Sequence, residues 1–184
     1  MLLQYETNRL LLKVLGPDYA EQVLDFYLED QELFERYEAD RSPNFYTKEH
    51  HAHLLEVEYR LILKMQLVRF YVFLKEDPEH IIGTVSLYDL ALPYSRGEVG
   101  YKFSSRYHHR GYASEAMEKL IDIAFTELHV HRLCARVLEQ NTPSIRLLEA
   151  LGFKKEGICR DYMCLKGQWL DHLQYSLIVP ELNI

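Results

Sequence analysis

The stretch Glu98-Val-Gly-Tyr-Lys-Phe-Ser-Ser-Arg-Tyr-His-His-Arg-Gly-Tyr-Ala-Ser-Glu-Ala-Met117 decides the fold. A strand ends near Phe103, a short polar loop follows, and a helix starts at Gly111. Ala113, Ala116, Leu120, Ala124 and Leu128 share one side of that helix, while Glu115, Glu118, Lys119 and Asp122 lie elsewhere on its surface. Leu133 to Leu138 is apolar and β-branched and reads as the next strand. Strand, helix and strand in succession force one parallel pair.

Outward from this unit, Arg9 to Val14 reads as a first strand, and Gly16-Pro17-Asp18 starts a helix whose apolar face is Ala20, Val23, Leu24, Tyr27 and Leu28. A longer helix runs from Thr47, its N-cap, to about Gln66, with Leu54, Val57, Leu61 and Met65 at helical spacing. Phe70 to Lys75 and Ile81 to Leu87 read as strands around a turn at Asp77-Pro78, and a loop over Pro93 to Gly97 leads back to Glu98. Pro143 to Leu151 is a short helix with Thr142 as candidate cap and Gly152 past its end. Lys155 to Leu165 and Trp169 to Val179 flank Lys166-Gly167 as a terminal hairpin. The order β-α-α-β-β-β-α-β-α-β-β predicts an α/β (mixed α+β) fold. It is a mixed, mostly antiparallel sheet of about six to seven strands with helices on both faces.

The chain has 184 residues, with 48% hydrophobic and 27% charged, an ordinary globular balance for one domain over 1–184. No apolar run is long enough to span a bilayer. Glu6 and Arg9 interrupt the leucine-rich start, which does not read as a secretory signal. Three cysteines, Cys134, Cys159 and Cys164, form no paired framework and fit a reducing, cytoplasmic setting. A formal net charge of −7 opposes direct nucleic-acid binding and suits a cationic partner. Nothing in the composition marks a membrane partner, and a homodimer leaves no legible trace. His50, His51 and His53 lack the spacing of a zinc protease, so no metal is expected.

The chemistry centres on the loop before Gly111. The first amides of a helix have no internal partner, and a helix N-terminus carries about half a positive charge. A pyrophosphate placed there gains charge-assisted hydrogen bonds. Gly111 permits close backbone approach, Ala113 keeps the next turn small, and Arg110 adds a full charge. A second constellation runs from Leu138 to Phe153: Asn141 closes a strand at the mouth of a helix, and Ser144 lies in the first turn. Asn141 either bonds a ligand amide or caps the helix.

Together, Gly111-Tyr-Ala-Ser-Glu-Ala, Leu128-His-Val-His-Arg-Leu, Asn141-Thr-Pro-Ser-Ile-Arg-Leu-Leu-Glu-Ala-Leu-Gly-Phe and Glu156-Gly resemble the GNAT superfamily of N-acetyltransferases. Within it the RimJ/RimL branch, which acetylates N-termini of ribosomal proteins, is the most similar. The resemblance covers the chain from about Arg9 onward. It implies that Tyr101, Phe103 and their neighbours pair with the pantetheine arm of acetyl-CoA like an added strand. It implies that His109, Arg110, Gly111, Tyr112, Ala113 and Ser114 wrap the pyrophosphate, that Asn141 contacts the pantetheine, and that Ser144 lies near the thioester sulfur. The family's loop often carries a glycine where this chain has His109, so His109 must take that glycine's backbone angle. A protonated His109 would add charge opposite the phosphates.

Acetyl transfer needs a neutral amine and a protonated leaving thiolate. An α-amine titrates near ~7.7–8.0 and a lysine near ~10.4, so the α-amine needs the less help. Glu98 is the candidate base and Ser144 the candidate acid. Tyr88, Tyr101 and Trp169 could line an acceptor channel or simply pack. Three readings stay open at this point: a protein N-terminal acetyltransferase, an acetyltransferase of a small amine such as a polyamine, amino sugar or amino acid, and a non-catalytic CoA-binding regulatory module.

Overall fold

The computed structural model describes residues 1–91 and 95–178. Its elements are β1 (Gln4–Glu6), β2 (Leu10–Lys13), α1 (Ala20–Glu29), α2 (Gln31–Glu35), α3 (Lys48–Leu63), β3 (Val68–Leu74), β4 (Asp77–Ala91) and β5 (Arg96–Phe103). Then come α4 (Tyr112–Thr126), β6 (Arg132–Leu138), α5 (Thr142–Ala150), β7 (Lys154–Leu165) and β8 (Gln168–Ile178). The strands form one eight-stranded sheet in the order β1-β2-β3-β4-β5-β6-β8-β7. Every pairing is antiparallel except β5 with β6, the parallel pair that the strand-helix-strand unit requires.

Two cores cover the two faces. On one face α4 sets Ala116, Met117, Leu120, Ile123 and Ala124 against Leu12, Val72, Val85, Val99, Leu133 and Tyr175. On the other, α1 and α3 bury Val23, Phe26, Tyr27 and Leu55 against Tyr71, Phe73 and Ile81. Full burial of an aliphatic or aromatic side chain is worth about 1.5–3 kcal/mol, so these two faces carry the stability.

Several expectations shift. The sheet has eight strands, because β1 pairs with β2 through Tyr5 and Leu12; three residues carry too little pattern to be read. Residues 31–35 are helical, between the two helices that the sequence predicts, where its pattern marks no element. The turn after β3 is at Lys75-Glu76, and Asp77 already pairs with Leu74. In α1 it is Phe26, not Leu28, that is buried; Leu28 is exposed. In α3 the buried stripe is His51, Leu55, Glu58 and Ile62, one residue off the Leu54, Val57, Leu61 and Met65 series. Polar residues occupy that stripe because Arg69 pairs with Glu58 and the His51 ring stacks on Tyr27 at 5.2 Å. Thr47 does cap α3, its side chain accepting from the His50 amide. Lys166 and Gly167 both have positive φ, 48° and 78°, which suits a two-residue hairpin turn. Residues 93 and 94 of the expected loop, and Val179 at the hairpin's end, lie outside the described residues.

Candidate functional site

The site begins where β5 and β6 part. Their register is Arg96 with Arg132, Gly97 with Leu133 and Glu98 with Cys134, and it stops there. On its other side β5 stays paired with β4 as far as Gly83 with Phe103. Ser104 donates to the Ile82 carbonyl at 2.9 Å, which makes Ile82 with Ser104 a hydrogen-bonded pair. Antiparallel ladders alternate, so the main-chain groups of Val99, Tyr101 and Phe103 point away from β4; the Val99 amide is still used by Cys134 across the Glu98–Cys134 pair, and from the Val99 carbonyl onward they face the opening. That is an unpaired strand edge of the right length for an extended amide-bearing chain. One group is already used, because the His108 ring nitrogen Nε2 lies 2.9 Å from the Phe103 carbonyl.

The loop after β5 is anchored at both ends. Asp30 accepts from the Ser105 amide and hydroxyl, each at 2.7 Å. Burial alone would raise the Asp30 carboxyl, but bonds from Ser105 and Ser104 carry it below its ordinary value. At the far end Gly111 is the N-cap of α4, outside the helix rather than its first residue, in the left-handed region at φ 77°. No side chain caps the helix, and among the described residues the amides of Gly111, Tyr112, Ala113 and Ser114 donate to nothing in the chain. His109 stands at φ 59°, the glycine-like angle that its position demands. His109 and Arg110 are exposed, so their side chains border the cradle from solvent.

Arg9, which sequence reasoning left out, holds this loop. Its Nη1 donates to the Arg110 carbonyl at 2.9 Å and its Nε to Glu115 at 2.6 Å, and its guanidinium lies 4.5 Å from the centre of the Tyr112 ring. Glu115 also accepts from the Thr7 hydroxyl and the Arg9 amide. Burial alone would raise Glu115, yet these bonds lower it, so it stays ionised against Arg9. With its carbonyl turned to Arg9, the Arg110 peptide turns the Gly111 amide away from Arg9. Arg9 and Arg110 are about a hundred residues apart, and no local pattern announces the contact.

Across the opening, Tyr101 reaches from β5 to α5. Its hydroxyl lies 2.7 Å from the Ser144 hydroxyl and donates to the Ser144 carbonyl at 3.0 Å. Burial pushes the Tyr101 phenol up to about 12, with the Ser144 bond acting the other way, so it stays protonated near neutral pH. Asn141, rather than Thr142, caps α5, accepting from the Ser144 amide at 3.3 Å. Its side-chain NH₂ has no hydrogen-bond partner among the described residues and remains a donor.

Glu98 lies on the opposite face. Side chains alternate along β5, so Val99, Tyr101 and Phe103 point toward α4 and α5 while Glu98, Gly100 and Lys102 point toward α1 and α3. Glu98 is buried, accepts from the Tyr88 hydroxyl at 2.8 Å and is ion-paired with Arg136. The structure thus places Ser144 with Tyr101 on one side of the sheet and Glu98 on the other, with the β5–β6 opening between them. Of the channel candidates, Tyr88 lines the Glu98 side, Tyr101 lines the Ser144 side, and Trp169 is exposed on the terminal hairpin.

Comparison with known proteins identifies the family and the fold. Residues 9–154 match the family model described as an acetyltransferase (GNAT) domain. The chain is 42% identical over 121 residues to the uncharacterized N-acetyltransferase p20 of Bacillus licheniformis, covering 66% of this chain and 67% of that protein. It is 26% identical over 185 residues to the [ribosomal protein uS5]-alanine N-acetyltransferase of Escherichia coli, covering 95% and 90%. The crystal structure of a ribosomal-protein-S5-alanine acetyltransferase from Vibrio fischeri superposes with a TM-score of 0.90 at 28% identity, covering 97% of both chains.

Proposed function

Since this chain belongs to the GNAT acetyltransferase family and is an N-acetyltransferase of the RimJ/RimL type, we propose that its acceptor is the α-amine of a protein N-terminus, with a ribosomal protein as the first candidate. The uS5-alanine enzymes it resembles over nearly their whole length support that choice. A lone α-amine needs only one group to receive its proton.

Acetyl-CoA fits the residues present. The free amides of Gly111 to Ser114 would hold its pyrophosphate, with His109 and Arg110 beside them. The Val99 carbonyl, the Tyr101 main chain and the Phe103 amide would pair with the pantetheine arm, and the Asn141 NH₂ would bond one of its carbonyls. Glu98 takes a proton from the incoming nitrogen, directly or through one water, as the nitrogen adds to the thioester carbon. The carbon–sulfur bond then breaks, and Ser144, backed by the Tyr101 hydroxyl, gives the sulfur a proton. A cytoplasmic setting suits an acetyl-CoA-dependent enzyme with three free thiols.

The observation that carries this reading is the unpaired edge of β5 leading into a helix start with four free amides. The experiment is thiol release from acetyl-CoA with peptides beginning in alanine or serine beside a panel of polyamines and amino sugars. Peptides should be preferred, and Glu98→Gln should lower kcat by about 10²-fold or more. Faster acetylation of a polyamine or sugar would replace the acceptor assignment, and saturable binding without transfer to any amine would make the chain a CoA-binding module.

A further inference from the structure

The terminal hairpin carries an irregularity that the catalytic reading leaves unused. In β7, Cys159 pairs with His172 and Met163 with Leu170, so four steps on one strand face two on the other. The extra residues are secured. Asp161 takes φ 46°, and its amide donates to the Asp171 carboxylate at 2.8 Å. A bulge of this kind re-aims the side chains beside it. Here it turns Tyr162 over the sheet, edge-on to the His172 ring at 5.0 Å and with its ring centre 4.8 Å from the Arg136 guanidinium.

Arg136 stands at the vertex of the β5–β6 opening. The ladder between the strands ends at Glu98 with Cys134, and Arg136 is the next residue of β6 on the same face. Its Nη1 donates to Glu98 Oε2 and, at 3.1 Å, to the Tyr162 hydroxyl oxygen. Tyr88 donates to Glu98 Oε1 from β4 on the other side. Both carboxylate oxygens are therefore held, one from each neighbouring strand, and the carboxylate plane cannot turn. The Nε of Arg136 is buried without an acceptor, an arrangement that costs stability. The guanidinium is set for Glu98 and Tyr162 rather than for its own full satisfaction.

We propose that Arg136 is a positioning residue for Glu98, and that the β7 bulge exists to bring Tyr162 against Arg136 and lock it there. This rests on the acetyl-transfer reading, in which Glu98 receives the amine proton. The groups facing Glu98 and its two holders are Tyr88 and Asp89 from β4, Cys134 and Arg136 from β6, Cys159 and Tyr162 from β7, His172 from β8 with Asp171 beside it and, behind Tyr88, Arg69 from β3. Burial first, and then Arg136, lower the His172 imidazole, so it is neutral near pH 7 and Arg136 is the cation that Glu98 meets.

The test is the pH dependence of kcat between about pH 5 and 9, at saturating acetyl-CoA and alanine-starting peptide so that the free amine's own protonation does not set the limb, for Arg136→Gln, Arg136→Lys, Tyr162→Phe and Glu98→Gln. A carboxylate that loses an adjacent cation is protonated more readily, so Arg136→Gln should move the acidic limb up by about 1 pH unit. It should also lower kcat about tenfold or more, the lower part of what a positioned base contributes. Arg136→Lys should restore the limb, Tyr162→Phe should shift it by less in the same direction, and the KM for acetyl-CoA should stay within about twofold because the amide cradle is untouched. Tyr162→Phe removes one hydroxyl, so it keeps the test decisive if Arg136→Gln melts early. An Arg136→Gln or Tyr162→Phe profile that superimposes on the unaltered enzyme, while Glu98→Gln is impaired, overturns the positioning role alone. An unimpaired Glu98→Gln instead removes Glu98 as base, and this inference with it.

Discussion

Replacing His109 with glycine isolates the strain in the loop before Gly111. His109 holds φ 59°, an angle that costs an L-residue about 1–2 kcal/mol. The side chain is exposed, and its ring lies 6.2 Å from that of His108, so little packing is lost with it. Glycine removes the steric cost but adds about 0.5–1 kcal/mol of unfolded-chain freedom. The net expectation is a gain of about 0–1.5 kcal/mol, centred at ~0.75 kcal/mol. For a chain of this size each kcal/mol moves the Tm by about 2–4 °C, so at the central value His109→Gly should melt about 1.5–3 °C higher. His109→Ala keeps the strained angle and should melt within about 1 °C of the unaltered protein. Calorimetry with and without saturating acetyl-CoA checks both, and the gain should survive in the bound form because the loop angle is already set in the free protein. A glycine variant that melts no higher, or an alanine variant with the same gain, would falsify the strain argument.

Two further expectations come from contacts away from the reacting groups. His51 is fully buried between aromatic rings with neither ring nitrogen bonded, and burial lowers it from 6.5 to about 4. Between those values the unfolded chain binds a proton that the folded one does not, so stability is lost as pH falls from about 6.5 toward 4, by on the order of 2–3 kcal/mol. Urea unfolding at pH 5 and 7 should show this slope, and His51→Phe should flatten it; equal slopes would rule it out. Arg9→Ala removes the bond to the Arg110 carbonyl, the pair with Glu115 and the contact with Tyr112. The side chain is half exposed, so screening limits the loss to about 1–2 kcal/mol. The KM for acetyl-CoA should rise severalfold with kcat preserved, and a drop in kcat at unchanged KM would contradict Arg9 as the loop's anchor.

Much of this site was legible because its signals are short-range. The strand to Phe103, the helix after Gly111 and the Asn141 mouth each depend on neighbours within a few residues. The structure moves Gly111 to the cap and gives the α5 cap to Asn141 instead of Thr142. The misreading of α3 has a different origin. Apolar periodicity selects the Leu54 series, but Glu58 and His51 sit in the buried stripe because partners on β3 and α1 receive them there.

The residues alone determined a parallel strand pair around a helix and a run of orphan amides at that helix's start, since backbone angles and unmet N–H groups follow from local composition. Only the tertiary structure decided that β5 and β6 separate after Glu98, that Arg136 and Tyr88 hold that carboxylate, and that Arg9 holds the loop before α4. Those contacts join positions 10 to 106 apart. They depend on strand register and a bulge, which couple distant residues through geometry and leave no period to read.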